Sequence, residues 1–372
     1  MRINPRMLIN KKTGKIYFNS FIPRPLQEIE KELVFDIDVI DCICEIGNLR
    51  TCLKNFLKEH DFSPYLHLFK KLDAYYSLKI FNMNLNPITI FAPSYNEDSA
   101  AAFNGYLTAL DFSFENYYKD FQTFFKEINA FLITDCLQRP GKIRKISIVK
   151  NSKLIPVHPR DINISLNYLF SYLADDSKIT PYLKASLVYY QFLAISPFQS
   201  GNHRQARILL ATYFLKENIF PIHPFSLSYY FYLHKEEYQE TLINVRVKGD
   251  YQGWIKFFLL GIAKTLKNYR KILKEIVRIK EKNEALIENS NFSRTIKKNL
   301  FEALSYISTN PVTNIKTMSY ALKRTYPTTA TLVKILEDMQ ILTTRNENRR
   351  NRTYIYKELI QALYSSDTFP TD

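Results

Sequence analysis

Between Ile195 and Arg207 the chain reads Ile-Ser-Pro-Phe-Gln-Ser-Gly-Asn-His-Arg-Gln-Ala-Arg, and an apolar run, Ile208-Leu209-Leu210-Ala211, follows. Proline, glycine and asparagine ahead of such a run mark a loop that enters a helix. At that N-terminus the backbone amides of Gly201, Asn202 and His203 have no partner within the helix, and the helix dipole makes them an anion site. Arg204 and Arg207 fall one turn apart on one helix face, where they can clamp further phosphate oxygens. From the residues alone this is a polyphosphate cradle built on a single glycine. A second chemistry is open to the same stretch, with Ser196 as nucleophile and His203 as its base. His158, His223 and His234 read as structural, and Phe198 as core packing.

The elements around this stretch read as helices. Over Pro181–Ile195, Leu183, Leu187, Tyr190 and Leu193 or Ala194 form one stripe behind a proline-marked start. The fold class expected is mainly α. The exception is Ile143–Pro156, where Ile146, Ile148, Leu154 and Ile155 alternate around Lys150-Asn151-Ser152 as a short hairpin. A basic helix, Lys264–Glu288, stops at Asn289-Ser290-Asn291, and a domain boundary is expected there.

The chain has 372 residues and 46% hydrophobic residues, enough for full-sized cores. Lys and Arg outnumber Asp and Glu by 51 to 36, a formal net charge of +15 that favours polyanionic partners such as nucleotides or nucleic acid. With only 8 glycines, glycine-rich dinucleotide folds and flexible linkers are poor readings. Cys42, Cys44, Cys52 and Cys136 match neither a zinc ribbon nor a disulfide scaffold, and are read as reduced and structural. No apolar run is long enough for a signal peptide or a membrane span, so a cytoplasmic protein without a membrane partner is expected.

The basic charge is concentrated. From Lys264 onward there are 20 Lys and Arg against 11 Asp and Glu, about +9 of the total +15. Three helices (Thr295–Ser308, Asn314–Leu322, Thr328–Met339) and two strands (Ile341–Thr344, Arg352–Tyr356) predict a winged helix. Tyr326-Pro327-Thr328-Thr329 supplies a helix start, with proline fixing the approach and a Thr hydroxyl accepting an amide hydrogen bond. Thr328, Thr331 and Lys334 would face a DNA major groove, and Arg345, Arg349, Arg350 and Arg352 would meet phosphates. A solvated basic hairpin on a protein-contact module is the alternative.

The stretch at 195–207 resembles the Fic (Fido) family, whose signature is His-Pro-Phe-x-Asp/Glu-Gly-Asn-Gly/Lys-Arg-x-x-Arg. Pro197, Phe198, Gly201, Asn202, Arg204 and Arg207 are identical to it. Upstream, Pro23-Arg24-Pro25-Leu26 and the helix around Asn104 to Leu110 look like segments of the larger Fic proteins. Downstream, Glu237 to Leu242 and Gly249 to Leu259 are similar to the helix that closes that fold. The resemblance implies a Fic helical core with a short β-hairpin flap and a C-terminal winged helix-turn-helix. It divides the chain into an N-terminal helical region (1–115), a Fic core (116–288) and a winged-helix domain (289–372).

Family members usually transfer AMP from ATP, with Mg²⁺, to a hydroxyl of a target protein. By resemblance Gly201, Asn202, His203, Arg204 and Arg207 would contact the nucleotide, with Tyr238, Gln239 and Arg246 beside it. Val149, Lys150, Asn151 and Ser152 would be the flap that aligns a target segment by strand addition. Ser196 stands where the family has its general base His, and a hydroxyl is far too weak a base near neutral pH. Ser200 stands where the family has the acidic Mg²⁺ ligand, and His203 adds bulk at the anion hole. Many members carry an inhibitory helix, Ser/Thr-x-x-x-Glu-Gly/Asn, whose Glu pairs with the second signature Arg; Glu97, in Pro93 to Asp98, is its expected counterpart. The resemblance therefore implies an adenylyltransferase-like protein with residual nucleotide binding and weak or absent transfer. The alternative is a DNA-binding regulator with the Fic core as sensor or homodimerisation module.

Overall fold

The computed structural model describes residues 7–9, 16–18, 23–93, 99–117, 121–133, 137, 139–148, 155–175, 179–345 and 352–364. Two short strands, β1 (Met7–Ile9) and β2 (Ile16–Phe18), pair antiparallel with Leu8 opposite Tyr17. Helices follow: α1 (Leu26–Glu32), α2 (Ile37–Glu59), α3 (Leu66–Lys79), α4 (Ala100–Asn116), α5 (Phe121–Leu132), α6 (Ile162–Ala174), α7 (Pro181–Ile195), α8 (Asn202–Lys216), α9 (Ser228–Leu233), α10 (Lys235–Lys248) and α11 (Tyr251–Glu288). Then come α12 (Arg294–Thr309), β3 (Val312–Thr313), α13 (Ile315–Ala321), α14 (Tyr326–Asp338), β4 (Thr343–Thr344), β5 (Tyr354–Ile355) and α15 (Lys357–Leu363). The fold is mainly α, as the periodicity predicts.

The chain forms two compact units: Met1–Cys52 with Tyr76–Met83 and Ala101–Thr265, and Leu53–Tyr75 with Asn84–Ala100 and Leu266–Asp372. These divisions differ from the three segments 1–115, 116–288 and 289–372. Three of the five boundaries fall inside α2, α3 and α11, where unbroken helical periodicity gives no punctuation to read. Cys42, Cys44 and Cys52 lie on α2 without disulfides; of these Cys44 and Cys52 are exposed and Cys42 is half-buried, while Cys136 lies outside the described residues.

In the first unit α7 is the central helix. The expected single stripe understates it, since Tyr182 to Leu187 and Tyr189 to Leu193 are all buried. Its polar side chains are satisfied internally. Lys184 extends its stem and donates from Nζ to the carbonyls of Leu173 (3.2 Å) and Asp175 (2.7 Å), capping the end of α6. Gln191 donates to the carbonyl of Arg24 at 3.1 Å. Trp254 of α11 is fully buried against α7 and donates from its indole nitrogen to the carbonyl of Ser186 at 2.9 Å. α10 carries Glu236 and Glu237 in its first turn and Arg246 and Lys248 in its last, in the sense the helix dipole favours. It ends at Gly249 with φ +72°, and Asp250 then accepts from the amide of Gly253 at 2.8 Å to start α11.

In the second unit β3, β5 and β4 form an antiparallel sheet in that order. Leu300, Ile307, Leu332, Leu336, Ile360 and Leu363 supply its core. α14 begins two residues before the expected Thr328, and its cap is Thr325, whose hydroxyl accepts from the amide of Thr328 at 3.4 Å. β3 was not expected, being two residues long and therefore without a legible alternation.

Candidate functional site

The loop between α7 and α8 is held from both ends. Ser196 caps α7 in the left-handed region, φ 43°, and its Oγ donates to the carbonyl of Leu193 at 2.6 Å. Its amide donates to the carbonyl of Phe192 at 2.9 Å, and the amide of Val157 donates to that of Ala194 at 3.1 Å. Arg144 completes the set. From Nε it donates to the carbonyl of Ser196 (2.8 Å), from Nη2 to those of Ile195 (3.2 Å) and Val157, and from Nη1 to that of Ile146 (3.2 Å). The carbonyls that a helix C-terminus leaves open are thus satisfied by a cation placed at the negative end of the dipole. Arg144 is 4% exposed, and burial lowers its pKa to about 10. Sequence reasoning missed this residue, because its partners are backbone atoms and leave no side-chain pattern.

Arg144 also donates its amide to the carbonyl of Pro197 at 2.9 Å, and Ile143 pairs with Phe198 as a single antiparallel bridge. This bridge is not part of the expected hairpin over 143–156: it ties Ile143 to the α7–α8 loop, and the described residues 144–148 and 155–156 form no strand. Val149, Lys150, Asn151 and Ser152, the expected flap, lie outside the described residues. Phe198 is 1% exposed and packs on Phe125 at 5.3 Å, the core role its type predicts.

Asn202 closes the loop on itself. Its Oδ1 accepts from the amide of Phe198 (3.0 Å) and its Nδ2 donates to the carbonyl of Phe198 (2.8 Å), so the side chain shapes the loop. Gly201 has φ +80°, and a Cβ there would come within 3.0 Å of Ile133 Cδ1 and 3.2 Å of Asn129 Nδ2. Conformation and space both require glycine. Asn129, itself buried, donates to the carbonyl of Ser200 at 3.1 Å and accepts from the amide of Gly141 at 3.1 Å. With the loop fixed, the first amides of the 15-residue helix α8 point out of its N-terminus, the geometry expected of an anion site.

Arg204 is partly buried, and desolvation, with Arg207 adding repulsion, lowers its pKa. Arg207 is 2% exposed and faces inward. It donates from Nε to Oγ of Ser77 and from Nη2 to the carbonyl of Ser77, both at 2.9 Å. Phe81 covers the guanidinium, with Cζ 5.6 Å from the ring centre, and meets His203 edge-on at 5.5 Å. Nη1 of Arg207 is buried and makes no hydrogen bond among the described residues. The two arginines, expected to act together, are therefore divided: Arg204 stays near the surface while Arg207 is covered.

The segment against Arg207 is Ser77-Leu78-Lys79-Ile80-Phe81-Asn82. Its spacing fits Ser/Thr-x-x-x-Glu-Gly/Asn with Phe81 in place of Glu, and Asn82 has φ +58°, the conformation that favours Gly or Asn. Glu97 lies outside the described residues.

Ser196, His203, Tyr190 and Arg246 line one cavity of about 50 Å³. Ser196 and His203 thus share one cavity, and the Ser196 hydroxyl donates to the carbonyl of Leu193. Arg246 donates to the carbonyl of Ile155 at 2.5 Å, and burial lowers its pKa to about 9. Tyr238 and Gln239 do not act as a pair. Tyr238 is buried, its hydroxyl sharing a 2.9 Å hydrogen bond with that of Tyr189, while Gln239 is exposed. Burial holds the Tyr238 hydroxyl well above the usual tyrosine range despite the nearby charge of Arg207.

The residues do not fit a protein-built Mg²⁺ site. Ser200 offers a neutral oxygen, and among the described residues no group of three or more His, Cys, Asp and Glu is placed to hold a metal. They do fit an anion, through the α8 amides and Arg204, with the buried Nη1 of Arg207 behind Phe81.

Residues 121–214, from α5 through most of α8, match the Fic/DOC family model. Over this segment the chain is a Fic family protein. A Fic family protein from Desulfovibrio desulfuricans G20 superposes with a TM-score of 0.56 at 14% identity, over 87% of this chain and 97% of that one. A Fic domain containing signaling protein from Bacteroides thetaiotaomicron (TM-score 0.48, 16% identity, 62% and 95%) and Fic-1 from C. elegans (0.49, 17%, 67% and 74%) are also similar. At these identities the likeness is one of fold alone.

On the second unit of this Fic protein, Thr328, Thr331 and Lys334 are exposed along α14, and Arg345 and Arg352 are exposed beside β4 and β5. Arg349 and Arg350 lie outside the described residues. No helix of the described residues is long and apolar enough to cross a membrane.

Proposed function

We propose that this Fic protein binds a phosphate-bearing ligand of the ATP class at the N-terminus of α8 and transfers AMP slowly or not at all. The observation that carries the reading is the Ser196 hydroxyl, committed to the carbonyl of Leu193 beside an α8 N-terminus that keeps Gly201, Arg204 and Arg207. A positioned base contributes about 10²–10⁴-fold in rate, and Ser196 supplies none. With Ser200 neutral, ATP affinity is expected to be the same in Mg²⁺ and in EDTA.

Calorimetric titration of the purified chain with ATP tests this, against Arg204→Ala. Binding that this variant weakens supports the reading, and no heat up to millimolar ATP sinks it. Ser196→His with Ser200→Asp should raise transfer of labelled AMP to protein. An intact circular dichroism spectrum without any transfer would mean that the scaffold no longer supports the family reaction.

A second reading concerns the C-terminal elements, whose helix–strand order and exposed Thr328, Thr331, Lys334, Arg345 and Arg352 favour a winged helix that contacts DNA phosphates. Affinity for duplex DNA should fall steeply between low and moderate salt, and Lys334→Glu with Arg345→Glu and Arg352→Glu should flatten that slope. A salt-independent curve would leave the unit a protein-contact module.

A further inference from the structure

On the face of α8 turned away from Arg207, helices α5, α6, α7 and α8 wall a second cavity, of about 200 Å³. Phe124 and Phe192 form its buried floor, each 2% exposed, and the half-buried Phe121, Phe170 and Tyr213 stand nearer its mouth. The nucleotide reading makes no use of this volume. We infer that the cavity is a binding site for a small neutral aromatic molecule.

Size, lining and charge carry the assignment. An apolar cavity of about 150 Å³ admits benzene, so this one takes a ring with a substituent and nothing much larger. Its walls carry seven aromatic side chains beside eight aliphatic ones, and offset or edge-on packing against those rings favours an aromatic guest over an aliphatic one of equal volume. Polar atoms of the wall are largely committed elsewhere. The Thr212 hydroxyl donates to the carbonyl of Ile208 or to Ser113, both 2.8 Å away, and the Tyr189 hydroxyl is bonded to Tyr238. At the mouth Lys216 and Glu217 face each other at 4.0 Å and cancel, which leaves no net charge to attract an ionised headgroup. Tyr213 supplies a hydroxyl for a neutral acceptor, and burial beside Glu217 keeps it protonated well beyond the usual tyrosine range.

Indole is the probe, with benzoate and cyclohexanol as charged and aliphatic controls, read by saturation-transfer NMR on the full chain and by the shift in melting temperature. Indole should bind, raise the melting temperature and outcompete both controls. Val188→Phe, which fills the cavity from α7, should weaken indole by at least about tenfold while leaving the melting temperature unchanged or higher. Leu209→Trp, at a half-buried wall position on α8, fills the same volume should Val188→Phe fail to fold. Equal indole binding by wild type and a folded, filled variant would overturn the site, as would no binding by wild type at millimolar indole. Preference for benzoate or cyclohexanol would overturn the neutral aromatic assignment.

Discussion

Phe81 lies over the guanidinium of Arg207, with Cζ 5.6 Å from the ring centre, at the position where the family's inhibitory pattern carries a glutamate. An aromatic cover differs from an acidic one in kind. A glutamate would compete with phosphate for the same charge, whereas Phe81 shields that charge and is itself 48% exposed, so little packing opposes its displacement. Phe81→Ala should therefore uncover Arg207. A cation–π contact is worth roughly 0.5–2 kcal/mol, which corresponds to a gain in ATP affinity of about 2- to 30-fold. Phe81→Glu should do the reverse. Calorimetry on both variants checks this, and unchanged affinity in Phe81→Ala would mean that the anion never reaches Arg207.

The contrast between the α8 loop and Arg144 shows what was legible beforehand. The α8 loop could be read because Pro197, Gly201 and an apolar run punctuate it within a few residues. Arg144 could not, since it recognises four carbonyls, three of them brought close only by the fold. Tyr238 and Gln239 were both expected beside the nucleotide, yet neighbours on a helix point about 100° apart, so one is buried and the other exposed. The stripe on α7 was legible, but its burial on nearly every side depends on neighbours that periodicity does not reveal.

Arg144 should be a main determinant of stability in the first unit. Removing it leaves buried carbonyls at the end of α7 without donors, at about 1–3 kcal/mol for each that water cannot reach. Arg144→Ala is expected to lose about 3 kcal/mol or more in urea unfolding. Arg144→Lys should recover little of this, because one ammonium cannot span carbonyls reached by a planar fork. A lysine variant as stable as wild type would show that charge alone suffices.

Gly201→Ala separates two contributions to the loop. The left-handed backbone costs a side chain about 1–2 kcal/mol, and contact with Ile133 Cδ1 at 3.0 Å adds to it. Ile133→Val deletes that atom. In a double-mutant cycle, Gly201→Ala should cost less in the Ile133→Val background, with the backbone cost remaining. Additive effects would place the whole penalty in the backbone.

Histidine 223 should give the fold a dependence on acid. Burial lowers its pKa to about 4 from the ordinary 6.5, and its Nδ1 is buried without a hydrogen bond among the described residues. Between these values the unfolded chain binds the proton and the folded chain does not, so stability rises with pH across the window. The contribution is fully present above pH 6.5 and is lost as pH falls toward 4. Allowing for the solvent that reaches this partly exposed ring, its size is about 2 kcal/mol at most. Other groups titrate in the same range, so the informative quantity is a difference. Urea unfolding of wild type and His223→Gln between pH 7 and pH 4.5 should give curves that diverge, with the variant losing less stability on acidification. Parallel curves would mean that His223 takes up its proton in the folded state as readily as in the unfolded one.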